Sequence, residues 1–137
     1  ETHILGFPRI GDDRELKWAS EKFWKGEITE NELQVVAKNI RKTNWERQKA
    51  TGITKIPSND FSFYDQVLDT TALVGAIPDR YNFNGGQVDL ETYFLCARGK
   101  LSAGQPEKTS CCGGTCQSKA TTALEMTKWF DTNYHYL

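Results

Sequence analysis

Apolar positions along the chain recur mainly at helical spacing. Leu16, Ala19 and Phe23 fall three and four residues apart, and Gly26 closes the run. Asp12 and Glu15 precede them in the spacing of a capping box, which places a helix start there. Thr29 and Glu32 repeat that signature. Leu33, Val36, Ala37, Ile40 and Asn44 then share one face as far as the stop at Gly52, so the pattern predicts a second helix of about 20 residues. Tyr64, Val67, Leu68, Thr71 and Ala72 predict a third helix, ending near Gly75 and Pro78. Asp89 is placed to cap a fourth, which carries Leu90, Tyr93, Phe94 and Ala97 and stops at Gly99.

The helical period breaks in several places. Thr2 to Ile10 is a mixed apolar run closed by Gly11 and is expected to form a strand. "ITKIPSND" reads as a second short strand ended by Pro57 and a polar turn. "EMTKWFDTNYHYL" has the aromatic content of a strand or a buried edge. Between the last helix and that stretch, residues 100–122 are rich in Ser, Thr, Gly, Lys and Cys, and are expected to be a flexible surface loop.

Strands alternating with helices predict an α/β fold with parallel strands. A closed eight-fold barrel needs roughly 200 residues or more, and this chain has 137. Its last residues stop inside a strand-like run, as if cut from something longer; a small three-layer domain ending there is the other reading.

Composition narrows the class. Charged residues are 26% and aromatics 12%, a globular balance rather than a disordered one. The net charge of -1 supplies no basic field for nucleic acid or an anionic membrane. No apolar run approaches the ~20 residues of a membrane span, and the N-terminus has no secretory pattern. Three of the four cysteines, Cys111, Cys112 and Cys116, are crowded together rather than spread as a disulfide scaffold. Reduced thiols and a cytoplasmic protein are expected.

One stretch asks for a ligand. In "LGFPRIGDDRELK" the cations Arg14 and Lys17 fall in a helix's first turn, where the macrodipole is already positive. Something negative should rest nearby, either Asp12 and Asp13 or a bound anion.

That stretch and four others, "PSNDFSFYDQVLD", "GAIPDRY", "ARG" and "EMTKWFDTNYHY", stand in an order and spacing that resembles the start of cobalamin-independent methionine synthases. The resemblance covers everything but the 100–122 loop. It implies an incomplete (β/α)8 TIM barrel, with residues 1–137 as the first strands and helices of the N-terminal, folate-binding barrel. It further implies a methyltransferase that moves the methyl of 5-methyltetrahydropteroyltri-L-glutamate to homocysteine, giving methionine. The zinc ion that such enzymes use belongs to their C-terminal barrel, outside this segment. The family's folate-binding quartet falls on Arg14, Glu15, Leu16 and Lys17, and a further lysine on Lys128. Arg14 suits a carboxylate through paired hydrogen bonds, and Lys17 and Lys128 act as point charges; the implication is that the three cations converge on the triglutamate tail. Leu16 reads better as core and Glu15 as a helix cap, so these two would contribute backbone contacts. The implied partners are polyglutamyl methylfolate, homocysteine and the rest of the parent polypeptide, with no nucleic acid and no membrane. The fragment alone is not expected to be active.

The chain departs from the family pattern at Gln66, where many members carry histidine, and at Asp12 and Asp13, where neutral or basic residues are common. Other residues have two readings each. The Cys111 cluster is a solvated thiol loop, or a metal or redox module with irregular ligand spacing. His3 is a packed or hydrogen-bonded residue, or a catalyst. His135 lines a pocket or does not. Asp60 caps a helix from Phe61 or stands at a barrel mouth. Trp18, Trp24 and Trp45 read as helix packing, and Trp129 as core or a platform for the pterin. Lys38 to Lys49 reads as a solvated helix face. A stand-alone, non-catalytic binding module derived from the barrel is the rival function.

Overall fold

The computed structural model describes residues 1–99, 122–124, 126–129 and 133–136, the last two segments as backbone. It divides into two compact units, Glu1–Gln66 and Val67–Leu137.

The first unit is built on α1 (Glu15–Trp24) and α2 (Glu30–Ala50), which pack together. Leu16 and Ala19 of α1 face Leu33, Ala37 and Ile40 of α2 as the buried apolar set. Leu33 and Ala37 are wholly inaccessible; burying a leucine side chain contributes about 1.5–3 kcal/mol. α2 begins with the capping box that the sequence predicts. The Glu32 N–H donates to Thr29 Oγ1 at 3.3 Å, and Glu32 Oε2 accepts the Thr29 N–H at 2.7 Å. Both helices end in a Schellman motif, with Gly26 and Gly52 at positive φ, a conformation that favours glycine.

The buried face of α2 turns polar at its C-terminal end. Asn44 Nδ2 donates to the Pro8 carbonyl at 3.1 Å, and Gln48, 2% exposed, donates from Nε2 to the Asn44 carbonyl. Here the chain's first segment lies beside residues 52–57. The N–H groups of Thr54 and Lys55 both donate to the Thr2 carbonyl, and His3 and Lys55 form an isolated parallel bridge. The expected first two strands are therefore reduced to one bridge, although their parallel direction is the predicted one. Pro57 ends the pairing on one side, and on the other the Phe7 N–H is taken by the Asp60 side chain. Asp60 caps no helix at Phe61, because the next helix starts at Gln66.

The second unit holds most of α3 (Gln66–Leu73), a 3₁₀ turn at Asp79–Tyr81, α4 (Leu90–Arg98), and the strands β1 (Met126–Trp129) and β2 (Asn133–Tyr136). Asp89 caps α4, its Oδ1 accepting the Thr92 N–H at 2.7 Å. Leu68, Ile77, Tyr81, Leu90, Phe94 and Leu124 are buried. The Tyr93 hydroxyl donates to Asp69, and the Tyr81 hydroxyl donates to the Thr122 carbonyl. β1 and β2 pair antiparallel, with Lys128 opposite Tyr134 and Thr127 opposite His135. The expected single terminal strand is thus a hairpin. Among the described residues the fold is helix-rich, and this hairpin is the one sheet.

Candidate functional site

The candidate quartet opens α1, and a tight turn delivers it. Gly11, at φ +84, starts the turn in a conformation that favours glycine, and a Cβ there would stand 1.9 Å from Glu15 Oε2 and displace that side chain. The Arg14 N–H donates to the Gly11 carbonyl at 3.3 Å, and the Leu16 N–H to the Ile10 carbonyl at 3.1 Å. Arg14 itself is the N-cap, in the left-handed region at φ 61, ψ 36, with no side-chain cap bond. A non-glycine residue there carries roughly 1 kcal/mol or more of backbone strain.

Asp12 does not cap the helix. It reaches across to α2, where Arg47 grips both of its oxygens, through Nη1 at 2.8 Å and through Nη2. This pairing holds the Asp12 carboxyl below its ordinary range and raises Arg47 above its own. Glu15 does not cap it either: its Oε2 accepts the Asp13 N–H at 3.1 Å, in the turn before the helix.

The four quartet side chains thus have different places. Arg14 is exposed and has no ion-pair partner among the described residues. Glu15 is tied to the turn. Leu16, 2% exposed, belongs to the core. Lys17 is exposed, with its ammonium 3.9 Å from Glu21 and 4.7 Å from the centre of the Trp18 ring. Arg14 and Lys17 are therefore brought into one helical turn. Lys128 has its backbone in β1, and its side chain lies outside the described residues, as do those of Trp129 and His135. Cys111, Cys112 and Cys116 also lie outside them, with nearly all of the expected 100–122 loop.

Beside the quartet, α1 and α2 enclose a cleft of about 440 Å³. Trp18, Ala19, Ile28, Val36 and Ile40 give it apolar walls, and Asp12, Glu15, Lys22, Glu32 and Arg47 stand around them. Trp18 is 50% exposed there, so it does less helix packing than its spacing implies. His3 is exposed rather than packed. Arg47 is the site residue that sequence reasoning misses. It lies within the charged Lys38–Lys49 face, where Lys42 and Glu46 do form the expected i,i+4 pair at 3.8 Å. Its partner Asp12 is thirty-five residues away, and no local period signals that meeting.

Among the described residues, no three His, Cys, Asp or Glu side chains gather as a metal site would require. No described helix is long and apolar enough to cross a membrane.

The chain thus presents two exposed cations, Arg14 and Lys17, at the start of a helical hairpin. Its family is shown by comparison: residues 1–137 match the family described as "Cobalamin-independent synthase, N-terminal domain", and the chain belongs to it. Relatives named 5-methyltetrahydropteroyltriglutamate–homocysteine methyltransferase include one from Caulobacter vibrioides, 53% identical over 136 residues, covering 97% of this chain and 17% of the relative. One from Rhodopseudomonas palustris is 54% identical over 135 residues, with 97% and 17% covered. A chloroplastic form from Arabidopsis thaliana is 48% identical over 136 residues, with 99% and 14% covered. The chain spans about a sixth of the length of these relatives.

Proposed function

We propose that this chain is the opening segment of a cytoplasmic methyltransferase that moves a methyl group from 5-methyltetrahydropteroyltri-L-glutamate to homocysteine. Its share is to hold the folate's glutamate tail as the first part of an incomplete (β/α)8 barrel, completed by the rest of the polypeptide. The observation that carries the reading is Arg14: an exposed guanidinium without an ion-pair partner among the described residues, on a left-handed N-cap, in a chain about half identical to enzymes of that name.

The chemistry follows from charge and direction. A γ-linked glutamate tail offers one carboxylate per residue. Arg14 can take one through two parallel hydrogen bonds, and Lys17 can leave its loose contact with Glu21 for another. Main-chain N–H groups of the first turn other than those of Arg14 and Leu16, which bond the Gly11 and Ile10 carbonyls, add donors at the positive end of the helix. Lys128 is proposed to extend the cradle. Asp12 to Lys17 contains three acids and two bases, so the segment has no positive surplus. Recognition therefore rests on directed bonds rather than on a field. Fixing the tail in this way orients the methyl toward the thiolate. The proposal leaves thiol deprotonation to zinc in the C-terminal barrel.

The test is kinetic. In the complete enzyme carrying this segment, Arg14→Ala should raise KM for the triglutamyl substrate about tenfold, the worth of one hydrogen bond between charged groups, with kcat little changed. An unchanged KM would remove the quartet from folate binding.

A further inference from the structure

We infer that Arg47 is a positioning residue for the folate tail, acting by holding the Asp12 carboxylate away from Arg14. This rests on the proposed tail-binding role of Arg14 and adds a residue to it. Asp12 stands two residues before Arg14 within the same turn, and an exposed carboxylate that close is a natural partner for the Arg14 guanidinium. An internal partner of this kind would compete with every carboxylate of the ligand. Arg47 prevents it. The guanidinium engages both Asp12 oxygens, the geometry that makes arginine–carboxylate pairs directional as well as attractive. The charges show the effect. The three acids and two bases of Asp12 to Lys17 leave one negative charge, and Arg47 cancels it.

The backbone supports the same division of labour. Gly11 and Arg14, both at positive φ, bracket the turn, and within it Glu15 ties the Asp13 N–H. The Asp12 and Glu15 carboxylates are thereby engaged, and Arg14 is left for an incoming anion. Arg47 touches no ligand in this scheme; it acts through Asp12.

Arg47→Ala in the complete enzyme should raise KM for triglutamyl methylfolate about fivefold, the upper worth of the exposed ion pair that Asp12 would then offer Arg14. kcat and KM for homocysteine should stay near the parent values. The deciding variant is the double substitution Asp12→Asn with Arg47→Ala, which removes the competing charge as well as its keeper. It should return KM to within about twofold of the parent enzyme. If the double variant stays as impaired as Arg47→Ala, Arg47 either binds the tail directly or only braces the turn, and the inference is wrong. If Arg47→Ala has no effect while Arg14→Ala does, the inference fails and the tail-binding role of Arg14 stands. If Arg14→Ala itself has no effect, the underlying reading fails with it.

Discussion

The Phe7 amide donates to Asp60 Oδ2 at 2.7 Å, fastening the first segment of the chain to the loop that follows the second. Gly6 makes room for this. A Cβ at that position would stand 3.2 Å from the Asp60 Cβ, closer than ordinary contact allows. The two segments form one isolated parallel bridge and a set of hydrogen bonds between Thr2 and Thr54, and this clamp holds them together further along the chain. Asp60→Ala should destabilise the Glu1–Gln66 unit by about 1–2 kcal/mol, the cost of stranding a part-buried N–H. Asp60→Asn, which keeps an acceptor, should recover part of that. Urea unfolding followed by tryptophan fluorescence measures both, and an Asp60→Ala variant as stable as the parent would show the clamp to be idle.

The capping box at Thr29 and Glu32 gives a prediction with a pH signature. Thr29→Ala should lower stability by about 1 kcal/mol, whereas Thr29→Ser should be near neutral. The Glu32 carboxyl is held below its ordinary value, first by the Thr29 N–H and then by the Thr29 hydroxyl. A lowered folded pKa means that the folded state binds the proton less readily than the unfolded chain. The contribution is therefore complete above the ordinary glutamate pKa, about 4.3, and is lost as pH falls through the lowered value. Asp12, held down by Arg47, and Asp89, held down by the Thr92 N–H, lose their contributions in the same direction. The gap between Thr29→Ala and the parent should accordingly narrow between pH 5 and about pH 3. A gap of constant size would show that the Glu32 half of the box contributes nothing.

These local devices are the part of the structure that was legible in the sequence. Thr29 with Glu32, Asp89, and the helix stops Gly26, Gly52 and Gly75 all act within a few residues, and each sits where its spacing placed it. The α2 face was also readable, because Leu33, Ala37 and Ile40 repeat at the helical period. Less legible were features decided by partners distant in sequence. Asp12 had the spacing of a cap, but Arg47 offers it two charged hydrogen bonds, which outweigh one bond to a backbone N–H. Asp60 likewise went to Phe7 rather than to a helix. Gln48, buried at the polar end of α2, had no apolar signal at all. As for the site, Arg14 and Lys17 could be placed on one turn from sequence alone. The left-handed backbone that turns Arg14 outward could not, since arginine seldom adopts it.

Cys96 separates reactive from inert thiol chemistry. Its side chain is fully inaccessible on α4, and burial raises its pKa to about 11, against a smaller opposing pull from Arg80. At pH 8 the thiolate population is therefore about a thousandfold below the thiol. Iodoacetamide under native conditions should leave Cys96 unmodified, with full alkylation after guanidinium treatment, as read by peptide mass spectrometry. Rapid native labelling at Cys96 would mean that the Val67–Leu137 unit opens readily around α4.

Within the quartet, Leu16 and Arg14 should fail in different ways. Leu16 sits between α1 and α2 with 2% of its surface exposed, whereas Arg14 is exposed two residues earlier. Leu16→Ala opens a void in the smaller unit's core and should cost about 3 kcal/mol of stability. A loss of that size threatens a unit of sixty-six residues, since small domains hold only about 5 kcal/mol or little more in reserve. Leu16→Met conserves volume and should cost under about 1.5 kcal/mol. If Leu16 serves the core alone, Leu16→Met in the complete enzyme leaves KM for the triglutamyl substrate unchanged, while Arg14→Ala raises it with little change in melting temperature. A raised KM for a well-folded Leu16→Met enzyme would instead put the leucine side chain against the folate.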